Sequence, residues 1–258
     1  MTKIKSSLDE KIKKFYQKYY RDTLNIKNWQ PLVWERLNEE KIEVAKIQKL
    51  QKLLGDFKGK KILDVGCGAG GFVIAAMKKK LLAYGIDPDK KAIEICEQKA
   101  IDSHLPKRNF LIASAEKIPF KDNTFAIVYC FTVLEHVNDV EKSVSEIIRV
   151  VKKGGKIYIN TPNSLSFYEG HYKIFWLPLF PKKLANLYLS LRKRPTKFLS
   201  SVNYLTPNFL KKLLSKYNVS YYFIDHELKR GCGILNSLIH FFYKIFMIDT
   251  QIELVIEK

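Results

Sequence analysis

The sequence lacks the marks of a stapled, a fibrous or a membrane-spanning chain. Four cysteines in 258 residues, Cys67, Cys96, Cys130 and Cys232, form no C-x-x-C pair and have no histidine at metal-ligand spacing beside them. A structural zinc or a disulfide framework is therefore not expected. Repeats and low-complexity stretches are missing, and 47% apolar with 13% aromatic residues argues against disorder and solenoids. No apolar signal core follows Met1; the first residues lead into a charged helix, so the expected location is cytoplasmic, with a membrane-peripheral variant. Acid is scarce: 26 acidic residues face 45 basic ones, a formal charge of +19. A field of that sign draws anionic partners, nucleic acid or an acidic membrane surface. The lysines are dispersed over most of the chain, as on ordinary solvated helix faces, so charge alone decides nothing.

What is present is alternation. Leu8, Ile12, Phe15 and Tyr19 recur at helical spacing, and a second helix is predicted over about 31–54. An apolar run, Lys61 to Val65, then breaks into glycines and a helix from Gly71 to Met77. Further strands are predicted near 82–86, 110–113, 125–130 and 156–161, with helices near 90–100 and 140–152, the latter ended by Gly154-Gly155. Thr206-Pro207 opens a helix to about 217, and strands at 219–224 and 252–256 complete the sheet. Such alternation makes an α/β fold, a parallel sheet wound with helices on both faces. Residues 1–55 are read as a helical cap, 56–162 as the core, 163–203 as a lid and 204–258 as the end of the sheet. About forty residues are too many for a plain connection, which is why 163–203 reads as a lid. An amphipathic helix near 233–248 is too short to span a bilayer and packs either on the sheet or at a membrane interface.

Between the first strand and its helix runs Asp64-Val65-Gly66-Cys67-Gly68-Ala69-Gly70. Glycines there let a ligand approach the backbone and meet the free amides of the helix. Gly66, Gly68 and Gly71 also satisfy the dinucleotide pattern G-x-G-x-x-G, and Asp87, after the second strand, suits ribose hydroxyls in either case. Asp64 separates the two readings, because a carboxylate before the loop suits a cationic amino-acid moiety and repels a pyrophosphate. Ser114-Ala115-Glu116-Lys117-Ile118-Pro119-Phe120 follows the third strand, and Val133-Leu134-Glu135-His136-Val137 the fourth.

In order and spacing, residues 60–162 resemble the class I methyltransferases that use S-adenosylmethionine (SAM). The resemblance implies a doubly wound, Rossmann-like sheet of seven strands, mostly parallel with the last antiparallel. It implies that Gly66, Cys67 and Gly68 line the methionine end of SAM, with Gly70 in the same cofactor loop, that Asp87 accepts both ribose hydroxyls, and that Pro88 flanks the adenine. Ser114, Ala115, Glu116 and Phe131 complete the implied cofactor site. Two positions depart from the pattern: Ser114 stands where the family has an adenine-binding Asp, and Ala126 where it has another Asp. A serine accepts without charge assistance, a bond about half as strong.

A sulfonium is already an activated leaving group, so the transfer needs an aligned nucleophile and, for a hydroxyl, a base. Glu135 and His136 stand where the reacting groups meet, with His136 either a general base or a structural imidazole hydrogen-bonded beneath the cofactor loop, and His171 in the lid is a second candidate base. A looser likeness, carried by Trp34 to Asn38, Leu134 to Val137, Thr161 to Asn163 and Tyr204 to Pro207, points to the quinone-biosynthesis O-methyltransferases. It implies that Arg36 meets the SAM carboxylate. The Glu-His pair of that group has been linked to a divalent metal, but two adjacent side chains form no site unaided, and no metal is expected. Tyr168, Tyr172, Phe175, Trp176, Leu177, Leu179 and Phe180 either wall a lipid-like or aromatic acceptor, with Lys182, Lys183 and Arg192 to Arg194 facing lipid headgroups or an anionic part of the substrate, or pack against the sheet. The rival readings are an RNA-directed enzyme, for which the Asn/Asp-Pro-Pro-aromatic motif and any RNA-binding module are missing, and a non-catalytic SAM-binding subunit.

Overall fold

The computed structural model describes residues 7–224 and 249–258. Its centre is a seven-stranded sheet in the order β3-β2-β1-β4-β5-β9-β8. The strands are β1 (Lys61–Val65), β2 (Leu82–Asp87), β3 (Phe110–Ile112), β4 (Phe125–Phe131), β5 (Val151–Pro162), β8 (Ser220–Phe223) and β9 (Gln251–Glu257). Only β9 is reversed, pairing antiparallel with both β5 and β8. In β1 the run Ile62 to Val65 is buried throughout, as a strand covered on both faces must be. One face carries α6 (Val140–Val150) and α9 (Pro207–Leu214), the other α3 (Glu39–Leu54), α4 (Gly71–Lys78) and α5 (Lys90–Asp102).

Three boundaries differ from the sequence reading. The single helix predicted over 31–54 is two, α2 (Gln30–Leu37) and α3, because Asn38 leaves the helical region and its side-chain amide donates to the Trp34 carbonyl at 2.9 Å. Helix α6 stops at Val150, and β5 begins at once with buried Val151 paired to Phe125. Gly154 and Gly155 thus lie inside the strand, where the register shifts. The Gly154 amide, at φ +71°, donates to the Lys258 carbonyl, and a side chain on Gly155 would meet the Ala126 carbonyl at 2.9 Å. Helix α9 is capped by Thr206 as its sequence predicts, but ends at Leu214.

At the amino end, α1 (Ser7–Gln17) passes into a π-helical turn, Lys18–Thr23. Residues 163–203 form a small hairpin, β6 (Tyr168–Glu169) with β7 (Ile174–Phe175), then α7 (Lys182–Leu191) and α8 (Lys197–Ser200). This segment has an apolar cluster of its own, in which Tyr172, Trp176 and Leu189 pack with Leu24 and Ile26 from beyond α1. The helix predicted near 233–248 lies outside the described residues.

Candidate active site

A cavity of about 1140 Å³ opens at the carboxyl ends of β1, β2 and β4. The loop after β1 makes its floor. Gly66 and Gly68 have φ of +73° and +51°, which side chains rarely adopt, and a Cβ on Gly66 would lie 2.3 Å from Val133. The loop is held by Asp87 at the end of β2: one carboxylate oxygen accepts from the Gly68 amide and the other from the Asp89 amide, each at 2.9 Å. Burial raises the Asp87 pKa, and those two amides pull it back. Each oxygen keeps a lone pair for a further donor, as a vicinal diol requires.

Asp64 is buried beneath the same loop. Burial pushes its carboxyl well above the usual range, and neighbouring Glu43 pushes it further. Glu39 and Glu43 of α3 join it at the cavity wall, each paired with a lysine: Lys99 at 2.6 Å and Lys46 at 2.6 Å. A bound cation would relieve this concentration of buried acid, whereas a pyrophosphate would meet repulsion. Arg36 lines the cavity beside them, its Nε donating to the Tyr20 hydroxyl at 3.1 Å. Ser114, Ala115, Glu116, Pro88, Phe131 and Cys67 also line it. Gly70 does not reach the cavity; at φ +77° it turns the chain into α4. A deep pocket with acceptors for a diol, acid for a cation and a backbone cradle fits SAM.

The opposite end is assembled from distant segments. His136 lines the cavity next to Val133 and Phe198. Behind it lies His171 of the hairpin, ring centroids 5.2 Å apart, and its Nδ1 is 2.7 Å from Glu169 Oε1. Glu135 is buried, one oxygen accepting from the Thr161 hydroxyl at 3.0 Å and the other without a hydrogen-bond partner. Burial raises its pKa to about 7. Burial and the neighbouring His171 lower that of His136 to about 4, so its ring is neutral near neutral pH. For His171 burial is the largest single influence and lowers the pKa, but the Glu169 hydrogen bond and the charges of Glu169 and Glu135 together outweigh it, so its pKa is raised. Asn203 fastens this loop: its backbone amide donates to the Glu135 carbonyl, its side chain to those of Leu134 and Val137.

Glu135, His136 and His171 bring one ligand atom each within 4.8 Å of one another. The sequence offered only two neighbours, and the fold supplies a third. Two imidazoles, one of them backed by a carboxylate, and a carboxylate oxygen with no partner are a donor set that suits a divalent transition ion.

Sequence reasoning missed the amino-terminal wall. Phe15, Tyr16 and Tyr19 line the cavity, with the Tyr16 hydroxyl 3.7 Å from where a Cβ on Gly68 would be. Their helical spacing signalled a buried face without saying what it covers. The lid aromatics behave otherwise than expected too. None of the seven lines the cavity; Tyr172 and Trp176 are buried in the lid's own cluster, while Tyr168, Phe175, Leu177 and Leu179 are exposed. Lys182 donates to the Ser200 and Val202 carbonyls, and Arg194 to that of Asn25.

Comparison with known proteins agrees with this geometry. Residues 63–159 match the family model described as a methyltransferase domain. The demethylmenaquinone methyltransferase of Geobacillus sp. is 36% identical over 139 residues, covering 51% of this chain and 59% of that protein. The ubiquinone biosynthesis O-methyltransferase of Pelagibacter ubique is 30% identical over 158 residues, covering 59% and 64%. The matched stretch thus spans about three fifths of these relatives' length. Among solved structures, the YcgJ protein of Bacillus subtilis superposes with a TM-score of 0.58 at 18% identity, over 83% of this chain and 98% of its own. A geranyl diphosphate methyltransferase superposes with a TM-score of 0.55 at 15% identity, over 87% of this chain and 80% of its own. Residues 63–159, which hold the glycine loop, Asp87 and the Leu-Glu-His-Val run, thus match a methyltransferase domain, and the pocket they line suits SAM.

Proposed function

We propose that the protein methylates an oxygen of a small, apolar acceptor, of the lipid-like or aromatic kind that the relatives' names suggest. The observation that carries this reading is the neutral His136 at the cavity wall, backed by His171 and Glu169. When bound, SAM supplies a methyl group on a sulfonium, and displacement leaves a neutral thioether. The residues do the rest. Asp87 and the Gly66 to Gly68 backbone fix the cofactor, and the acid around Asp64 favours its cationic end. His136 takes the proton of the acceptor hydroxyl as its oxygen bonds the methyl carbon. The charge formed on that ring is favoured by the Glu169 carboxylate and opposed by burial and by His171, so the ring gives its proton up again readily. A divalent ion, if bound, would be held by Glu135, His136 and His171 and would acidify an acceptor hydroxyl at that point.

The test is direct. Purified protein, labelled SAM and a cell extract are incubated together, and the label is partitioned into lipid, small-molecule and RNA fractions. Label in the organic phase, as an alkali-stable methyl ether, is the expected result. Label in RNA, or none anywhere while SAM still binds, would overturn this reading.

A further inference from the structure

Helix α7 has two apolar faces. Ala185 and Leu189 are fully buried against the lid cluster. Leu184, Leu187 and Leu191 recur at positions i, i+3 and i+7, which confines them to one narrow stripe, and they are 56%, 58% and 76% exposed. A helix serving only to pack the lid needs the first face and gains nothing from the second. The hairpin continues the pattern: Tyr188 donates to the Phe175 carbonyl at 3.1 Å, tying α7 to β7, and Phe175 itself is 59% exposed and stacked on half-exposed Phe167. Scattered exposed leucines are ordinary, but a stripe with an aromatic pair beside it marks an interaction surface.

The charge around it selects the occupant. Residues 163–203 hold seven lysines and arginines against one acid, Glu169, and that acid is bonded to His171. Lys183 flanks the leucine stripe on one side and Arg192 on the other, with Lys193 beyond the helix end, all exposed. Apolar residues between basic ones suit the boundary between acyl chains and anionic headgroups. A second copy of a chain with a charge of +19 would instead bring like charges together. Among the described residues no helix is long and apolar enough to cross a membrane, so the contact is a surface one.

We infer that the outer face of α7, with Phe167 and Phe175, docks the protein on an anionic lipid surface. The face belongs to the same segment that sets His171 behind His136, so docking brings the acceptor end of the cavity near the bilayer. This deepens the apolar-acceptor reading, yet its test reads binding alone, so its failure would leave methyl transfer untouched.

The experiment is co-sedimentation with vesicles of phosphatidylcholine, with and without about one third phosphatidylglycerol. Wild-type protein is expected to pellet with the anionic vesicles, less so as salt rises, and to stay in solution with the neutral ones. Leu187→Asp with Leu191→Asp should lower the bound fraction about tenfold while the melting temperature and SAM binding stay unchanged. Lys183→Glu with Lys193→Glu tests the electrostatic half separately and should also release the protein. Equal binding to both vesicle types, no binding to either, or a leucine variant that pellets like wild type would overturn the inference, as would RNA binding with the same leucine dependence.

Discussion

The two ends of the cavity are built by different rules. At the cofactor end, Asp64, Gly66, Gly68 and Asp87 come from a single βαβ unit, and the backbone does much of the work. At the acceptor end, His136 after β4, His171 in the hairpin, Phe198 in α8 and Asn203 meet from three separate stretches of chain, and side chains do the work. The first can be kept by a short motif. The second depends on how the lid packs, and so is free to change with the acceptor while the cofactor stays the same.

If the ends are separable, mutations should divide cleanly between them. The largest effect is expected from His136→Ala: kcat falls about a hundredfold or more, the usual size of a lost general base, while calorimetry finds SAM affinity within about twofold of wild type. A parallel loss of SAM affinity would break the division. Asp87→Ala comes next. It removes a charged acceptor for two hydroxyls and a tie to the Gly68 amide, so SAM binding should weaken about tenfold or more, with kcat at saturating SAM largely kept. Unaltered binding would sink the assignment of Asp87.

The smallest effect is on stability and concerns only the acceptor end. The Glu135 carboxyl is raised from 4.5 to about 7, so between those values the folded state holds more protons than the unfolded one. Stability therefore falls as pH rises through that window and levels off above it. Glu135→Gln should flatten this slope and leave the variant more stable than wild type at about pH 8, as thermal melts across pH would record. An unchanged slope would mean that the carboxyl is already ionised in the folded protein, as a bound cation would make it.

The same division explains what the sequence disclosed. The run from Lys61 to Asp87 announces strand, glycine turn, helix, strand and acid in order, because each step is a local preference, and Asp64 with the motifs after the third and fourth strands argues against a dinucleotide. The break at Asn38 and the early start of β5 were hidden, since one turns on a side chain reaching back to Trp34 and the other on Val151 finding Phe125. His171 could be named as a candidate, but its approach to His136 could not, with thirty-four residues between them and the lid's packing on Leu24 and Ile26 deciding the distance. Likewise the lid aromatics were legible as an apolar set but not as a core and a surface, a choice made by which side of the hairpin meets the amino-terminal segment.

One contact qualifies the separation. The space a Cβ on Gly66 would need is already taken by the Val133 methyl groups, so the cofactor turn and the acceptor loop are fitted to each other atom against atom. Anyone redesigning the enzyme for a new acceptor inherits that fit. The loop carrying Val133 can be rewritten beyond His136, but a bulkier residue at 133 would push into the glycine turn proposed to hold the methyl donor, and a smaller one would leave that turn without its backing. Specificity in such a scaffold can be evolved from the hairpin inward, with Val133 as the point where the search has to stop.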